Sequence, residues 1–182
     1  MIENIDVEHY YTVLYKLKKL PRSGWVRRDV ENPESVAEHS FSLAMLVMMF
    51  VKRLKLSVDL NKVLLMALLH DIGETVIGDI TPHDNVSIDD KHRQEAEAVQ
   101  AILQENGLEE LFQLWKEFEE CATPEAKLVF QLDKMDAYLQ ARQYQLDKAG
   151  LDEFAASTRS SLTDEKLIEL LDELENRGNN KA

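Results

Sequence analysis

Along almost the whole chain, apolar residues recur at the three- to four-residue interval of an α-helix, and almost no segment alternates as a strand does. Capping residues, prolines and glycines divide this pattern into separate helices. The predicted helices run from Asp6 to Leu20 before Pro21, from Asn32-Pro33 onward, from about Asn61 to Gly73, from Ser87 or Asp89 to about Asn106-Gly107, through Leu111 to Phe118, from Thr123-Pro124 onward, and from near Thr163. The segment PRSGWVRRDVEN and the stretch from Gly78 to Asp90, with its turn at Thr81-Pro82, are expected to be irregular. The sequence therefore predicts one all-α domain over residues 1–182, a helical bundle with its core between about 10 and 175.

Composition limits the classes of partner. Of the 182 residues, 45% are hydrophobic and 30% are charged, which is typical of a globular protein. The formal net charge of -13 argues against a nucleic-acid polymer or an anionic membrane as the main partner, because both require a basic surface. A small anionic substrate remains compatible with this charge if a metal ion or a local group of arginines supplies positive charge.

The cysteine content and the absence of targeting patterns favour the cytoplasm. We expect no signal peptide, and the longest apolar run, LAMLVMMFV, is too short to span a bilayer. The single cysteine, Cys121, cannot form an internal disulfide bond, which favours a reducing compartment. The acidic segment KEFEE before Cys121 disfavours a thiolate, so we do not expect this residue to be a nucleophile.

Four residues from three predicted helices form a candidate metal site: His39, His70, Asp71 and Asp133. Imidazole and carboxylate together suit divalent transition metals. His70 and Asp71 lie where a helix ends, so both side chains can reach one ion. Asp133 lies among apolar neighbours, and a buried carboxylate needs a positively charged partner. A metal ion would be such a partner.

Each of these residues also has an ordinary structural interpretation. Chance alone predicts ~0.4 His-Asp pairs in a chain of this composition, so the pair by itself carries no information. A single histidine on a helix is more often a hydrogen-bonded core or surface residue than a ligand. His9, His83 and His92 are interpreted in this way, and the second pair, His83-Asp84, lies in a predicted loop without helical partners.

The surroundings of His70 favour the metal site. His70 follows the aliphatic run LLMALL and precedes Asp71, Glu74 and Asp79. Polar groups therefore gather where the most apolar predicted helix ends, which is typical of an active site at the edge of a core.

The order of these residues resembles the HD superfamily of metal-dependent phosphohydrolases, and within it the HD-domain 5'-deoxynucleotidases of bacteria and of a related eukaryotic branch. The resemblance covers about residues 10 to 175. The segments that carry it are PRSGWV (Pro21 to Val26), PESVAEHS (Pro33 to Ser40), HDIGETVIGDITP (His70 to Pro82), KHRQEAEA (Lys91 to Ala98) and QLDKMDAYLQA (Gln131 to Ala141). The fold that the resemblance implies is a single HD-domain bundle with the metal site in its core.

The resemblance implies hydrolysis of 5'-deoxyribonucleoside monophosphates to deoxynucleoside and phosphate. The residues that match the family's metal ligands are His39, His70, Asp71 and Asp133. Glu74 matches the carboxylate that positions or deprotonates the attacking water, and Asp79 matches an acidic residue near the sugar. The resemblance to the eukaryotic-like branch implies an alternative, in which Glu74, Asp79 and the carbonyl of Ile80 hold a second cation. The identity of the divalent metal is left open among Mn, Co, Mg, Fe, Ni and Zn.

Arg22 and Trp25 fall in the segment that resembles the family's phosphate-binding and sugar-selecting loop. The bacterial enzymes have an adjacent Arg-Trp pair there, whereas this chain has Gly24 before Trp25 and an arginine three residues earlier. Arg27 and Arg28 are therefore rivals of Arg22 for the phosphate. Trp25 either stacks on the sugar and excludes a 2'-hydroxyl, or packs in the loop.

Two other functions are compatible with the sequence. The first is an HD phosphohydrolase that acts on another nucleotide or phosphoester, although such relatives are generally larger or carry further histidine ligands between the His-Asp pair and the last aspartate. The second is a non-catalytic helical scaffold, which predicts the loss of ligands. The resemblance also implies a homodimer, which exposed apolar residues of the later helices would permit.

Overall fold

The all-α prediction is confirmed by a computed structural model, which describes residues 6–80 and 87–179. The helices of the described residues are α1 (Val7–Lys19), α2 (Ser23–Val26), α3 (Val36–Leu54), α4 (Leu60–Leu69), α5 (Glu74–Ile77), α6 (Ile88–Glu105), α7 (Glu110–Glu119), α8 (Pro124–Gln143), α9 (Lys148–Ser161) and α10 (Glu165–Asn179). Those residues contain no strand, and Pro21 and Ser35 form an isolated antiparallel bridge. The turn expected at Thr81-Pro82 and the pair His83-Asp84 lie outside the described residues.

Several helix starts are the ones that the capping pattern predicts. The Asp6 carboxylate accepts a hydrogen bond from the His9 amide at the start of α1. Ser87 caps α6, and Thr123 caps α8 with Pro124 in its first turn. These side chains satisfy amide groups that have no partner within the helix, so they fix the residue at which each helix begins.

Other boundaries differ from the prediction. Asn32 does not start α3, because it has a left-handed backbone with φ of 55° and the helix begins at Val36. Ser35 and Glu38 form a capping box there, which satisfies the first amides of α3. The segment predicted as a loop after Pro21 contains the short helix α2. Helix α4 ends at Leu69, four residues before the expected end at Gly73.

Helix α9 was not predicted. Its sequence, KAGLDEFAASTRSS, has few large apolar residues and therefore little apolar periodicity. It nevertheless packs along α8 and buries Ala155 and Thr158. The Thr158 hydroxyl donates a hydrogen bond to the carbonyl oxygen of Lys134 at 2.9 Å, which ties the two helices together.

The centre of the fold is formed by α3, α4 and α8, which pack against one another. Their fully buried side chains include Leu43, Met66 and Leu132. A second apolar cluster joins α1, α6 and α7 to the start of α3 and the end of α4, and contains Val36 and Leu69. The polar residues of the candidate site therefore project from the helices that hold the core together.

Replacing Leu43 by alanine is expected to lower the free energy of unfolding by about 2–5 kcal/mol, because it leaves a cavity at a fully buried position. Urea unfolding followed by circular dichroism measures this change. The matched control is Leu68→Ala on α4, where the leucine is 49% exposed and the change should stay within about 0.5 kcal/mol. Equal losses in the two variants would contradict the assigned core.

The exposed large apolar side chains of the described residues do not lie on the later helices, where the sequence analysis expected them. Among the described side chains, no large apolar residue of α6 to α10 is exposed, so the later helices do not offer the expected apolar surface. Exposed apolar side chains lie instead on the earlier helices, and they include Phe41, Met45 and Met49 at four-residue intervals along α3. Among the helices of the described residues, none is both long and apolar enough to cross a bilayer.

Candidate metal centre and substrate cavity

Three helices bring the four proposed ligands together. His39 lies in the second turn of α3, His70 caps the end of α4 with Asp71 directly after it, and Asp133 lies in the middle of α8. His39 and His70 are almost completely buried, and their ring centres are 5.3 Å apart. The packing of α3, α4 and α8 therefore brings together residues that are far apart in the sequence. His39 and Asp133 are separated by 94 positions.

The ligand atoms of His39, His70 and Asp133 all lie within 4.8 Å of one another. His39 Nε2 is 3.1 Å from Asp133 Oδ1. Asp71 Oδ2 lies 3.1 Å from His70 Nε2 and 3.8 Å from His39 Nε2. The donor set is two imidazoles and two carboxylates, which suits a divalent transition metal.

The two histidines are held with Nε2 facing the other ligands. His70 Nδ1 lies 3.0 Å from the carbonyl oxygen of Ala67, and His39 Nδ1 lies 2.8 Å from Asp136 Oδ2. Because both partners can only accept, each Nδ1 carries the donated hydrogen. Both Nε2 atoms are buried and lack a hydrogen-bond partner among the described residues, although carboxylate oxygens lie near them. These orphaned atoms fit a metal ion.

Asp136 is a residue of the site that the sequence analysis missed. Its carboxylate is buried, and its second oxygen accepts a hydrogen bond of 2.6 Å from the Ser42 hydroxyl. The available signal was its spacing, because residues three apart lie on the same face of a helix, and Asp136 follows Asp133 by three. Carboxylates that accept from a ligating histidine orient the ring and fix its tautomer.

Replacing Asp136 by asparagine is expected to weaken metal binding by about 10–100-fold, because the amide loses the charge that holds the Nδ1 hydrogen of His39. Metal affinity is measured by titration of the chelated protein with a competing fluorescent chelator. The control is Ser42→Ala, which removes the other contact of Asp136 and should leave affinity nearly unchanged. Equal losses in both variants would indicate a packing effect rather than ligand orientation.

The charges of the proposed ligands are strongly coupled. Burial and the Arg22 guanidinium act to lower the pKa of His39, but the carboxylates of Asp133 and Asp136 outweigh them and raise it to about 9. Burial acts to raise the pKa of Asp71, but His70 and Arg22 outweigh it and hold that pKa below its ordinary value. A metal ion at this centre would therefore displace a proton from His39 and meet carboxylates that are already ionised.

Glu74 lies beside this centre at the start of α5 and is 3% exposed. Burial raises the pKa of its carboxyl group to about 11, and Asp71 and Asp79 contribute in the same direction. Its Oε2 has no hydrogen-bond partner among the described residues. Glu74 is therefore a buried carboxyl group in need of a cation, a water or a substrate proton.

Asp79 has a structural contact as well as its predicted place near the substrate. Its carboxylate accepts a hydrogen bond of 2.6 Å from the Ser23 amide, and the Ser23 hydroxyl donates to the Asp79 carbonyl oxygen at 2.7 Å. These contacts join the chain after α5 to the beginning of α2. Asp79 therefore holds the segment that contains Arg22 and Trp25 next to the proposed metal ligands.

A cavity of about 340 Å³ opens onto the proposed ligands. The residues that line it are Arg22, Gly24, Trp25, Glu34, Asp71, Glu74, Asp79, Ile80, Lys91, Asp133, Lys134, Ala137 and Phe154. All the residues that sequence analysis assigned to catalysis and substrate binding therefore border one space, together with the carboxylate ligands. A volume of this size is in the range of small-molecule sites.

The three rival arginines have different positions. Arg22 lines the cavity, and its Nη1 donates a hydrogen bond of 2.9 Å to Asp71 Oδ2. Arg28 instead pairs with Glu153 at 2.6 Å and donates to the Gly24 carbonyl oxygen. Arg27 is exposed. Among these three, Arg22 is the arginine placed to contact an anion in the cavity.

Trp25 both packs in the fold and lines the cavity. It is 3% exposed, its ring stacks on Phe154 with centres 4.8 Å apart, and its Nε1 donates a hydrogen bond of 2.8 Å to Glu34. The two interpretations of Trp25 that the sequence left open are therefore compatible, because a rigidly packed indole can also form a wall of the cavity.

Two lysines near the centre were not identified from the sequence. Lys134 Nζ lies 2.8 Å from Asp133 Oδ2, and Lys91 is about two-thirds buried. Both line the first cavity and also a second one of about 350 Å³, which reaches His70, Asp71 and Asp133 from another side. With Arg22 they give an acidic protein a local group of positive charges beside the proposed metal ligands.

Cys121 lines the second cavity, where burial and the neighbouring Glu119 raise the pKa of its thiol. The thiolate is therefore disfavoured, as the acidic segment before it predicts.

Comparisons with known proteins find a matching family, curated relatives and a similar solved structure. The family model described as HD domain matches residues 14–175. The human protein named 5'-deoxynucleotidase HDDC2 is 40% identical over 166 residues, which cover 88% of this chain and 80% of that protein. The mouse protein of the same name is 39% identical over 170 residues, with 90% and 84% of the two chains covered. A crystal structure of a protein from Pyrococcus horikoshii OT3 superposes with a TM-score of 0.78 at 33% identity, covering 92% of this chain and 97% of that one.

Proposed function

Because the chain belongs to the HD-domain family, we propose that it is a metal-dependent phosphomonoesterase that hydrolyses 5'-deoxyribonucleoside monophosphates to deoxynucleoside and phosphate. The curated relatives named 5'-deoxynucleotidase, at about 40% identity over most of the chain, support the reaction. The observation that carries the proposal is the pair of orphaned Nε2 atoms of His39 and His70. They lie beside Asp71 and Asp133, which line a cavity that also holds an arginine.

In this proposal His39, His70, Asp71 and Asp133 hold a divalent cation, one of Mn, Co, Mg, Fe, Ni or Zn. When bound, such an ion polarises a phosphoryl oxygen and lowers the pKa of a coordinated water. Arg22 holds the phosphate through its guanidinium and shares that role with the charges of Lys91 and Lys134. The negative substrate thus meets three positively charged side chains in the cavity of this acidic protein.

Glu74 is proposed to accept a proton from the attacking water. In the protein without a cation, burial keeps its carboxyl group protonated, with a pKa of about 11. Added positive charge beside it favours the carboxylate, which is the form that a general base requires. The alternative role, in which Glu74, Asp79 and the Ile80 carbonyl hold a second cation, is supported by the unpartnered Oε2 of Glu74 and by the place of all three at the cavity.

Trp25 is proposed to wall off the 2' position of the sugar. Replacing Trp25 by phenylalanine keeps an aromatic ring against Phe154 but shortens the wall, so hydrolysis of ribonucleotides should rise about tenfold relative to deoxyribonucleotides, a change of ~1.4 kcal/mol in discrimination. The ratio of kcat/KM for dCMP and CMP measures it. Unchanged discrimination in a folded variant would leave Trp25 with a packing role alone.

Two alternatives are weaker. A different phosphoester substrate is compatible with the same centre, but such relatives are generally larger or carry further histidine ligands. Among the described residues, the group formed by His39, His70 and Asp133 contains no third histidine. A non-catalytic scaffold would not need two buried histidines with orphaned nitrogens or a buried Glu74 beside them.

The proposal includes a single domain over residues 1–182, a homodimer and a cytoplasmic location. The family match over residues 14–175 supports the single domain.

The exposed stripe of Phe41, Met45 and Met49 on α3 supports a dimer, because an apolar stripe of this kind is typical of an interface. Light scattering of the wild type and of Met45→Asp tests the dimer, and a monomeric wild type would contradict it.

The function is tested by phosphate release from dAMP, dCMP, dGMP, dTMP and dUMP and from their ribose counterparts. The protein is first freed of metal with a chelator, and Mn, Co, Mg or Zn is then added back. We expect metal-dependent release from the deoxy compounds and much less from the ribonucleotides. Metal binding without release would move the assignment to another phosphoester, and absence of binding would favour the scaffold.

A further inference from the structure

A second group of metal-ligating side chains lies on the second cavity, outside the four proposed ligands. His92 and Glu95 are three residues apart on α6 and therefore share a helix face, and Glu119 is the last residue of α7. All three line the cavity of about 350 Å³. The sequence predicts an ordinary role for His92, because its contact with Glu119 of α7 is visible only in the fold.

The geometry of this group is compact. His92 Nδ1 lies 2.9 Å from Glu119 Oε2, and one ligand atom from each of the three residues lies within 4.8 Å of the others. The side chains of Glu95 and Glu119 are 12% and 20% exposed, whereas that of His92 is 52% exposed. An ion could thus enter on the histidine side and meet two carboxylates that have little water around them.

The charges of the group also favour a cation. The partly buried carboxylates of Glu95 and Glu119 lie close to each other, and Lys91 Nζ lies 3.6 Å from Glu95 Oε1. Burial raises the pKa of Glu95 and of Glu119 even with Lys91 and His92 nearby. The positive charge present is therefore too small to offset the loss of water from both carboxylates.

We propose that His92, Glu95 and Glu119 bind a divalent transition metal ion, such as Zn²⁺, at a site separate from the one at His39, His70, Asp71 and Asp133. One imidazole and two carboxylates are ligands that such ions accept, and the cavity leaves further positions for water. The inference does not depend on the nucleotidase reaction.

The contact between His9 and Glu105 shows what distinguishes this group. His9 Nε2 lies 3.1 Å from Glu105 Oε2, and the His9 side chain is also 52% exposed. The Glu105 side chain is 59% exposed, and no third ligand atom completes that pair among the described residues. A histidine-carboxylate contact alone therefore does not form such a site, and His9 provides a matched control.

The test is a count of bound Zn²⁺ by equilibrium dialysis and elemental analysis of chelated protein. His92→Ala and Glu119→Gln are each expected to bind one ion fewer than the wild type, whereas His9→Ala should bind the same number. Glu119→Gln keeps the size of the side chain, and melting temperatures identify any variant that fails to fold. The proposal is overturned if both cavity variants bind as many ions as the wild type.

Because the second cavity also reaches Asp71 and Asp133, the count is repeated in a variant whose first centre is disabled by His39→Ala. In that background, the trio is expected to retain one Zn²⁺, which the added His92→Ala removes. Loss of all bound Zn²⁺ from His39→Ala alone would show that every ion belongs to the first centre and would overturn the inference. Both results are independent of phosphate release, so failure of the proposed reaction is distinguishable from failure of this site.

Discussion

Replacing Asp71 by asparagine is expected to remove the metal ion from the first centre and to lower kcat/KM for dCMP on the order of 10³-fold. The carboxylate of Asp71 faces both His70 Nε2 and the Arg22 guanidinium, so it belongs to the metal site and to the anion site at once. A metal ion supplies several kcal/mol of charge stabilisation in the transition state, and each ~1.4 kcal/mol is a factor of ten. Elemental analysis and steady-state kinetics measure the two effects.

The asparagine keeps an oxygen that can accept the hydrogen bond from Arg22, so this buried arginine is not left without a partner. The matched control is Asp152→Asn on α9, where the side chain is exposed and the same change should leave metal content and kinetics as in the wild type. An Asp71→Asn protein with normal metal content and turnover would contradict the assignment of the centre.

The second large effect is expected for Glu74→Gln, which should lower kcat by about 10²–10⁴-fold while the ion at the four-residue centre stays bound. An amide cannot accept the proton of the attacking water, and general-base catalysis is worth about this factor. The substitution is nearly isosteric at a buried position and leaves His39, His70, Asp71 and Asp133 unchanged. Single-turnover kinetics and metal analysis of the same sample provide the measurements.

Metal content separates the two roles proposed for Glu74. Loss of turnover with an unchanged ion count supports the general base, whereas loss of turnover together with one ion supports the second cation with Asp79 and Ile80. Glu74→Asp, which shortens the reach of the carboxylate, is the companion variant and should recover part of the activity in the first case. Normal turnover of Glu74→Gln would exclude both roles.

Much of the fold was predictable because its helix starts depend on local chemistry. Thr123 with Pro124, Ser87 and Asp6 each satisfy amides of their own helix, so their effect can be predicted from a few neighbouring residues. Asn32 with Pro33 looks like a start of the same kind, but the capping box of Ser35 and Glu38 lies three residues further on and determines the first turn of α3. That box is also a local pattern, so the start of α3 at Val36 is visible in the sequence.

Other elements depend on partners far along the chain and could not be predicted in the same way. Helix α9 has weak apolar periodicity of its own and gains its stability by packing on α8. Lys134 is next to Asp133 in the sequence, but its place between two cavities depends on the packing of several helices. The contact of His92 with Glu119 joins α6 to α7 in the same manner.

Residue types and helix positions make the proposed ligands candidates in the sequence, and their order, which resembles a known family, selects them, since chance explains a single His-Asp pair. What the structure adds is their convergence, with Nε2 of both histidines turned to one place. The orienting partners differ in how visible they are. Asp136 could have been found from its helical spacing to Asp133, whereas the Ala67 carbonyl oxygen has no signature in the sequence at all.

Because the partners differ, substitutions can alter the ring orientation of one histidine more easily than that of the other. The ring of His70 is oriented by a main-chain oxygen one turn back along α4, so any sequence that preserves the helix preserves that orientation. The ring of His39 is oriented by the side chain of Asp136, which a single substitution can alter. Natural variation can therefore tune the affinity for the ion through the surroundings of His39, while the orientation of His70 is inherited with the backbone.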